Sequence, residues 1–192
     1  MKRNSTRGRI ISLVPMGAVR ADYLRSLAEA MREQFGLPVE LTANQGRPVY
    51  ALDAKRKQYN SQLIIRKLPQ IAPAYALKIL GVTDIDLFSP IFSYVFGEAQ
   101  FHGRCAVVST FRLHPNPESN PRPGCPPLLD RLEKEAIHEL GHTFGLRHCP
   151  DPDCVMSYSV GVDCADRKFP YFCPSCRDLL LWHLATDIFL GA

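Results

Sequence analysis

The sequence lacks the features that would link the protein to a membrane or to a repeat architecture. It has no internal repeat, no low-complexity tract and no apolar run near the roughly 20 residues that a membrane-spanning helix needs. It also lacks a dense basic stripe, because the formal charge of +4 is spread thinly. Solvated surface explains the two densest basic clusters, residues 1–9 and 55–57. We therefore expect a monomer that binds neither membrane nor nucleic acid.

Evidence for secretion is also weak. The stretch MKRNSTRGRIISLVPMGAV begins like a signal peptide, but Pro15 interrupts its apolar run and Arg20 follows soon after. We predict instead that residues 10–14 form the first buried strand. The sequon at Asn4 is a short pattern that often arises by chance. The odd count of seven cysteines disfavours a disulfide framework, and metal-bound thiolates fit a reducing compartment, so we expect a cytoplasmic protein.

Hydrophobic spacing predicts alternating strands and helices. The predicted helices are 21–35, 61–68 (closed before Pro69), 128–145 and 176–190. The predicted strands are 10–14, 37–41, one within 75–88, and two around a glycine-containing connection within 92–110. This order predicts an α/β (α+β) fold with a twisted mixed β-sheet. We predict one domain, 1–192, with an N-terminal subdomain of about 9–145 and a C-terminal subdomain of about 146–192.

The segment HELGHTFGLRHC collects three histidines and one glutamate within twelve residues. Residues four apart share one face of an α-helix, so His138 and His142 point the same way. Two imidazoles at this spacing bind one zinc ion, and Gly145 lets the chain turn so that His148 supplies a third. Glu139 would project beside the metal, where it is placed to act on a water molecule.

Three protein ligands and one open position are typical of a catalytic zinc site. Zinc lowers the pKa of a bound water to about 7, and Glu139 would take its proton as the water attacks a carbonyl carbon. The pattern therefore predicts a zinc-dependent peptidase. The alternative is a zinc-stabilised binding or regulatory protein with little catalysis. The presence of Glu139 favours catalysis, because a structural site needs no base.

Four of the seven cysteines have the spacing of a second metal site. Cys149 follows His148 directly, Cys154 comes five residues later, and Cys173 and Cys176 form a CxxC pair. Four cysteines in two pairs are typical of a tetrahedral structural zinc site. We therefore predict two Zn²⁺ per chain, one catalytic and one structural.

The other three cysteines lack clear metal spacing. Cys164 lies between the two pairs and would compete as a ligand, although the CxxC pattern favours Cys173 and Cys176. Cys105 lies in a predicted strand and is interpreted as a small core residue. Cys125 lies in the proline-rich loop 116–127 and is interpreted as a free thiol, with a disulfide to Cys105 as the alternative.

The ordered set HELGHTFGLRHCPDPDCVM…FCPSC resembles the archaemetzincin family, and its first part, HExxHxxGxxH, is the metzincin signature. The segments YVFGEAQFHGRCAVVS and KRKQYNS also resemble this family. The resemblance implies a compact metzincin-like fold with a long active-site helix, an edge strand lining the cleft and a small zinc-stapled C-terminal subdomain. It also implies peptidase or aminopeptidase activity on a peptide or protein substrate.

The resemblance extends to two residues after the third histidine. It implies that Met156 packs beneath the zinc ligands, although an ordinary core methionine is the alternative. In some metzincins a tyrosine lies near the zinc at the position of Tyr158, although packing or surface exposure would also explain this residue.

A peptide substrate of such an enzyme binds in an extended conformation along the free edge of a sheet. We predict that residues 104–110, RCAVVST, form this edge strand upstream of the zinc helix. The alternative is a buried central strand, because the stretch AVV is apolar on both faces.

Mild chelation is expected to remove zinc from the histidine site before the cysteine site. Three imidazoles with an open position hold zinc less tightly than four thiolates. Metal analysis alongside thiol titration follows the two sites separately. Emptying of the cysteine site first would contradict this prediction.

Overall fold

The computed structural model describes residues 8–114 and 128–190. The sequon at Asn4, the loop 116–127 and Cys125 lie outside the described residues. The α-helices within them are α1 (Ala21–Phe35), α2 (Ser61–Ile71), α3 (Leu128–Thr143), α4 (Val162–Arg167) and α5 (Pro174–Leu190). None of these helices is long and apolar enough to cross a bilayer.

Two sheets organise the strands of the described residues. The larger contains β1 (Ile11–Met16), β2 (Val39–Leu41), β5 (Lys78–Thr83), β8 (Gly97–Ala99) and β9 (Cys105–Ser109). The smaller contains β3 (Leu52–Asp53), β4 (Gln58–Asn60), β6 (Leu87–Ser89) and β7 (Phe92–Val95). In the larger sheet the order is β2-β1-β5-β9-β8, and neighbours are parallel except for β8, which is antiparallel to β9. The predicted mixed α/β fold is thus confirmed.

Side chains of the larger sheet alternate between two hydrophobic layers. Leu80 and Val82 face the layer that contains α1 and α3, whereas Ile79 faces the layer that contains α2. Parallel strands covered by helices on both faces are apolar on both faces, and every residue of β5 and β9 is buried. Helix α3 packs against β8 and β9, which brings its histidines to this side of the sheet.

The first strand lies close to its predicted position but extends through Pro15 to Met16. The carbonyl oxygen of Pro15 accepts a hydrogen bond from the backbone N–H of Gln45. This bond lies on the side of β2, which already ends at Leu41. The N–H that proline lacks faces the same side, so its absence removes no bond to β5.

The prediction that the second helix closes before Pro69 is wrong, because α2 continues to Ile71 with Pro69 inside it. Ile64 and Leu68 are fully buried against the sheet, and this packing outweighs the loss of one backbone donor at Pro69. The end of the helix is still hydrogen-bonded, since the N–H of Ala72, the residue after Ile71, donates to the carbonyl of Leu68.

The prediction that residues 104–110 form the edge strand is also wrong. Strand β9 lies between β5 and β8, and all five of its residues are buried. The apolar stretch AVV contributes to both hydrophobic layers, which is the pattern of a strand in the buried centre of the sheet. Instead, the shorter β8 is the edge strand on this side. The region 92–110 accordingly contains three strands, β7, β8 and β9, rather than the predicted two.

Candidate metal centres

Helix α3 and the turn after it bring the three predicted histidines together. The Nε2 atoms of His138 and His142 lie 3.0 Å apart. Gly145 follows the helix at φ +89°, and a Cβ there would lie 2.8 Å from Nδ1 of His102, so the turn requires glycine. After this turn the ring of His148 lies 5.2 Å from that of His138 and 4.9 Å from that of His142.

Backbone carbonyls set the tautomers of two of these imidazoles. Nδ1 of His138 lies 2.9 Å from the carbonyl oxygen of Val155, and Nδ1 of His142 lies 2.7 Å from that of Leu146. A carbonyl oxygen only accepts, so each Nδ1 carries the hydrogen and each Nε2 presents a lone pair. Two lone pairs that face each other at 3.0 Å repel unless a cation shares them. This donor set fits zinc, which binds imidazole nitrogen.

Burial keeps these imidazoles in the form that binds metal. His138 is 4% exposed, and burial lowers its pKa well below the usual histidine value, with a further contribution from the Lys168 ammonium. Partial burial also lowers the pKa of His142, and the pKa of the more exposed His148 is lowered in the same way. Metal ligation requires an unprotonated ring nitrogen, so this environment favours ligation.

Glu139 lies next to His138 and lines the same cleft, where it is 7% exposed. Burial raises the pKa of its carboxyl group well above the usual glutamate value; the Glu135 carboxylate raises it further, the Lys168 ammonium opposes this rise, and the Glu98 carboxylate adds to it. A carboxylate in such surroundings accepts a proton more readily than one exposed to water.

Gly97 is a residue of this site that sequence reasoning missed. A Cβ at Gly97 would lie 2.6 Å from Cγ of Glu139 and 2.7 Å from the carbonyl oxygen of Val107. The glycine therefore makes room for the glutamate between α3 and β8. A glycine inside a strand is the sequence signal for such a close approach, and the segment FGEA contains it.

A cleft of about 520 Å³ opens over the histidines, between α3, residues 91–99 and the segment that follows Met156. The side chain of Met156 is fully buried, and its Sδ lies 2.5 Å from where a Cβ on Gly141 would stand. Met156 thus packs on α3 at Gly141, the residue before His142. The ring of Tyr158 lies 4.8 Å from that of His148 and is half exposed at the cleft.

The four predicted cysteines form a second cluster, in which all four sulfur atoms lie within 4.8 Å of one another. The Sγ atoms of Cys149 and Cys173 are 3.8 Å apart, and the four thiols form no disulfide. A tetrahedron with metal–sulfur bonds of about 2.3 Å has sulfur atoms about 3.8 Å apart. The spacing therefore fits a tetrahedral zinc ion.

The remaining described cysteines lie outside this cluster. Cys164 is on α4, where Nη2 of Arg167 lies 3.5 Å from its sulfur and backbone hydrogen bonding at Val160 lowers its pKa. Cys105 is fully buried in β9, and burial raises its pKa to about 11. The interpretation of Cys105 as a core residue agrees with this position.

Comparison with known proteins assigns the chain to a family. The sequence pattern of peptidase family M54 matches residues 22–181. The archaemetzincin of Methanocaldococcus jannaschii is 37% identical over 86% of this chain and 89% of its own length. The crystal structure of the Methanopyrus kandleri archaemetzincin has a TM-score of 0.80 at 35% identity and covers 96% of this chain and 99% of that one.

This chain belongs to peptidase family M54, with the archaemetzincins. The archaemetzincin of Archaeoglobus fulgidus, crystallised as a complex with malonate, gives a TM-score of 0.75 at 34% identity over 88% of this chain and 99% of that one. The protein is therefore a zinc metallopeptidase, and the resemblance seen in its motifs is confirmed.

In this M54 peptidase one short segment joins the two clusters. The carbonyl of Val155 orients His138, and the carbonyl of the next residue, Met156, accepts the backbone N–H of Cys149 at 2.9 Å. Cys154, one of the four thiols, directly precedes Val155. The position of the His138 ring thus depends on the segment that the cysteine cluster holds.

Replacing Gly97 with alanine is expected to lower peptide cleavage by about tenfold or more while zinc content is retained. The added methyl group would displace the Glu139 side chain, and small displacements in an active site cost large factors in rate. Gly161→Ala is the matched control, since a Cβ at Gly161 meets no atom within 4 Å. Equal cleavage by the two variants would show that Gly97 does not position Glu139.

Proposed function

We propose that His138, His142 and His148 hold the catalytic zinc ion and that Glu139 is the general base. The observation that carries this proposal is the set of three imidazole nitrogens within 4.8 Å of one another, beside a buried carboxylate in an open cleft. When bound, the zinc ion supplies Lewis-acid chemistry, polarising the scissile carbonyl and lowering the pKa of a water molecule.

The chain's own residues then move the proton. Glu139 accepts it on a carboxylate oxygen as the water oxygen attacks the carbonyl carbon of the peptide bond. As the C–N bond breaks, Glu139 donates this proton to the departing amine nitrogen, which balances the hydrolysis. Its burial and the Glu135 carboxylate favour the first of these roles, because they raise its affinity for the proton. The carbonyls of Val155 and Leu146 hold the histidine rings in their ligating orientation throughout.

We further propose a second, structural zinc ion on Cys149, Cys154, Cys173 and Cys176, which makes two Zn²⁺ per chain. The four converging thiols and the 3.8 Å sulfur spacing support it. A structural metal suits this part of the chain, where much of the segment between α3 and α5 lacks regular structure.

The free edge of β8 supports an extended mode of substrate binding. The carbonyl of Phe96 and the N–H of Gln100 bond to β9. Backbone groups alternate along a strand, so Gly97 and Ala99 direct their N–H and C=O groups to the other side, where no described strand pairs. We propose that a peptide substrate adds to this side as a further strand and places its scissile bond over the histidines.

We also propose that the chain is one domain, that it acts in the cytoplasm, and that it is a monomer without nucleic-acid or membrane partners. One domain is supported by a hydrophobic layer that includes residues on both sides of the predicted boundary near Gly145, from Leu132 to Val155 and Leu180. Thiolate ligands support a reducing, cytoplasmic environment. A monomer without nucleic-acid or membrane partners is supported by the thinly spread charge.

Glu139→Ala is expected to lower kcat/KM for peptide cleavage by about 100-fold or more, because it removes the general base but no zinc ligand. Cleavage of a mixed-length peptide library by zinc-loaded protein, read by mass spectrometry, measures this loss. Zinc content is measured in parallel and should match the unmodified protein. Cuts that persist in the variant would rule out Glu139 as the base, and a wild type that cuts nothing would instead favour a binding role.

Cys154→Ser is expected to empty the cysteine site and also to weaken zinc binding at the histidine site, on the order of tenfold. The second effect follows because Val155, the adjacent residue, orients His138 through its carbonyl. Cys164→Ser is the control, since Cys164 lies outside the cluster. Zinc titration of both variants measures the two sites. Unchanged affinity at the histidine site in Cys154→Ser would refute the coupling.

A further inference from the structure

Lys168 is a lysine that the proposed reaction does not use, yet its side chain is only 1% exposed. Its Nζ lies 2.9 Å from Oε1 of Glu135, whose side chain is 4% exposed. Burying two charges is costly, and an apolar pair of similar size is often as stable or more so. A contribution to stability therefore explains this buried pair poorly. Its position beside the cleft explains it better.

Glu135 connects the pair to the active-site helix. It lies one turn before Glu139 on α3 and lines the same cleft. Its Oε1 also accepts a hydrogen bond from the hydroxyl of Ser159 at 3.2 Å. Lys168 in turn lies 3.5 Å from the carbonyl oxygen of Ser157. The ion pair thus contacts the chain on both sides of residue 158.

Residue 158 is the tyrosine whose ring lies 4.8 Å from the ring of His148. Tyr158 is half exposed, so packing alone constrains it weakly. Its place over His148 depends on the backbone of Ser157 and Ser159, and these are the two residues that Lys168 and Glu135 contact.

We propose that Lys168 is a positioning residue for peptide hydrolysis: paired with Glu135, it fixes the segment Ser157–Ser159 on α3 and so holds Tyr158 against His148. This inference rests on the proposed function of the histidine site. It assigns the buried ion pair to the geometry of the cleft rather than to the stability of the domain.

The first test compares Lys168→Met with Lys134→Met. Lys134 is a matched control, because it is a buried lysine of α3 (6% exposed) whose Nζ lies 2.6 Å from Asp130. With the library peptide that the wild type cleaves fastest, Lys168→Met should lower kcat about tenfold or more and change KM much less. Lys134→Met should lower thermal stability without lowering kcat of the folded fraction. Equal kcat losses in the two variants would overturn the proposal.

The second test separates positioning from stability. Lys168→Met leaves Glu135 buried and unpaired, so its folding is at risk, whereas Lys168→Met/Glu135→Met removes both charges and is expected to recover the melting temperature. If the pair positions the cleft, kcat stays low in the double variant. Recovery of kcat together with stability would show that the pair serves only folding.

The third test asks whether Lys168 acts through Tyr158. Tyr158→Phe removes the contacts that the phenol hydroxyl makes. If Lys168 acts through these contacts, Lys168→Met should lower kcat less in the Tyr158→Phe background than in the wild type. Additive losses in this double-mutant cycle would contradict the proposed route.

A spectroscopic measurement distinguishes failure of this inference from failure of the proposed function. Co²⁺ substituted at the histidine site reports the ligand geometry without any substrate. An altered Co²⁺ absorption spectrum in Lys168→Met, but not in Lys134→Met, supports the positioning role even if no peptide is cleaved. An unchanged spectrum together with unchanged kcat would overturn the inference while leaving the peptidase assignment intact.

Discussion

The hydrogen bond between Nδ1 of His138 and the carbonyl of Val155 is the interaction on which the site most depends. It sets the tautomer of the imidazole, and so it decides which ring nitrogen faces the proposed metal position. The acceptor residue, Val155, lies between Cys154 and Met156, so the same hydrogen bond also fixes this segment. The segment Cys154–Met156 thus connects helix α3, the buried Met156 side chain and the cysteine cluster.

That dependence explains how a largely irregular C-terminal part supports a precise site. Between α3 and α4 the described chain has little regular structure, so few repeating hydrogen bonds hold it. The cysteine cluster on one side and the packing of Met156 on α3 constrain the segment instead. The zinc ion proposed for these thiols would hold the segment by ligation where regular backbone hydrogen bonding is scarce.

The cleft also concentrates charge that a stable core would exclude. Glu135 and Glu139 lie one turn apart on α3 and are both nearly buried, and Lys168 is the buried cation that faces Glu135. Like charges at this spacing disfavour a helix. Functional sites often bury charged side chains at a cost in stability, because their chemistry requires those charges. The rest of α3 compensates with apolar residues such as Leu132, Ala136 and Leu140, which are fully buried.

The two clusters of proposed metal ligands could be predicted from the sequence because the relation between their residues is local. Four residues separate His138 from His142 along one helix, a glycine reverses the chain before His148, and the CxxC pair brings its own two thiols together. Tertiary structure decided which strand is the edge: the apolar stretch AVV is compatible with a central strand, but only the pairing of β9 with both β5 and β8 leaves β8 at the edge. It also decided that α2 passes Pro69, that Gly97 makes room for Glu139 and that Lys168 meets Glu135. Each of these features depends on contacts between residues far apart in the chain. The spacing of residues along the sequence does not show which of these contacts form.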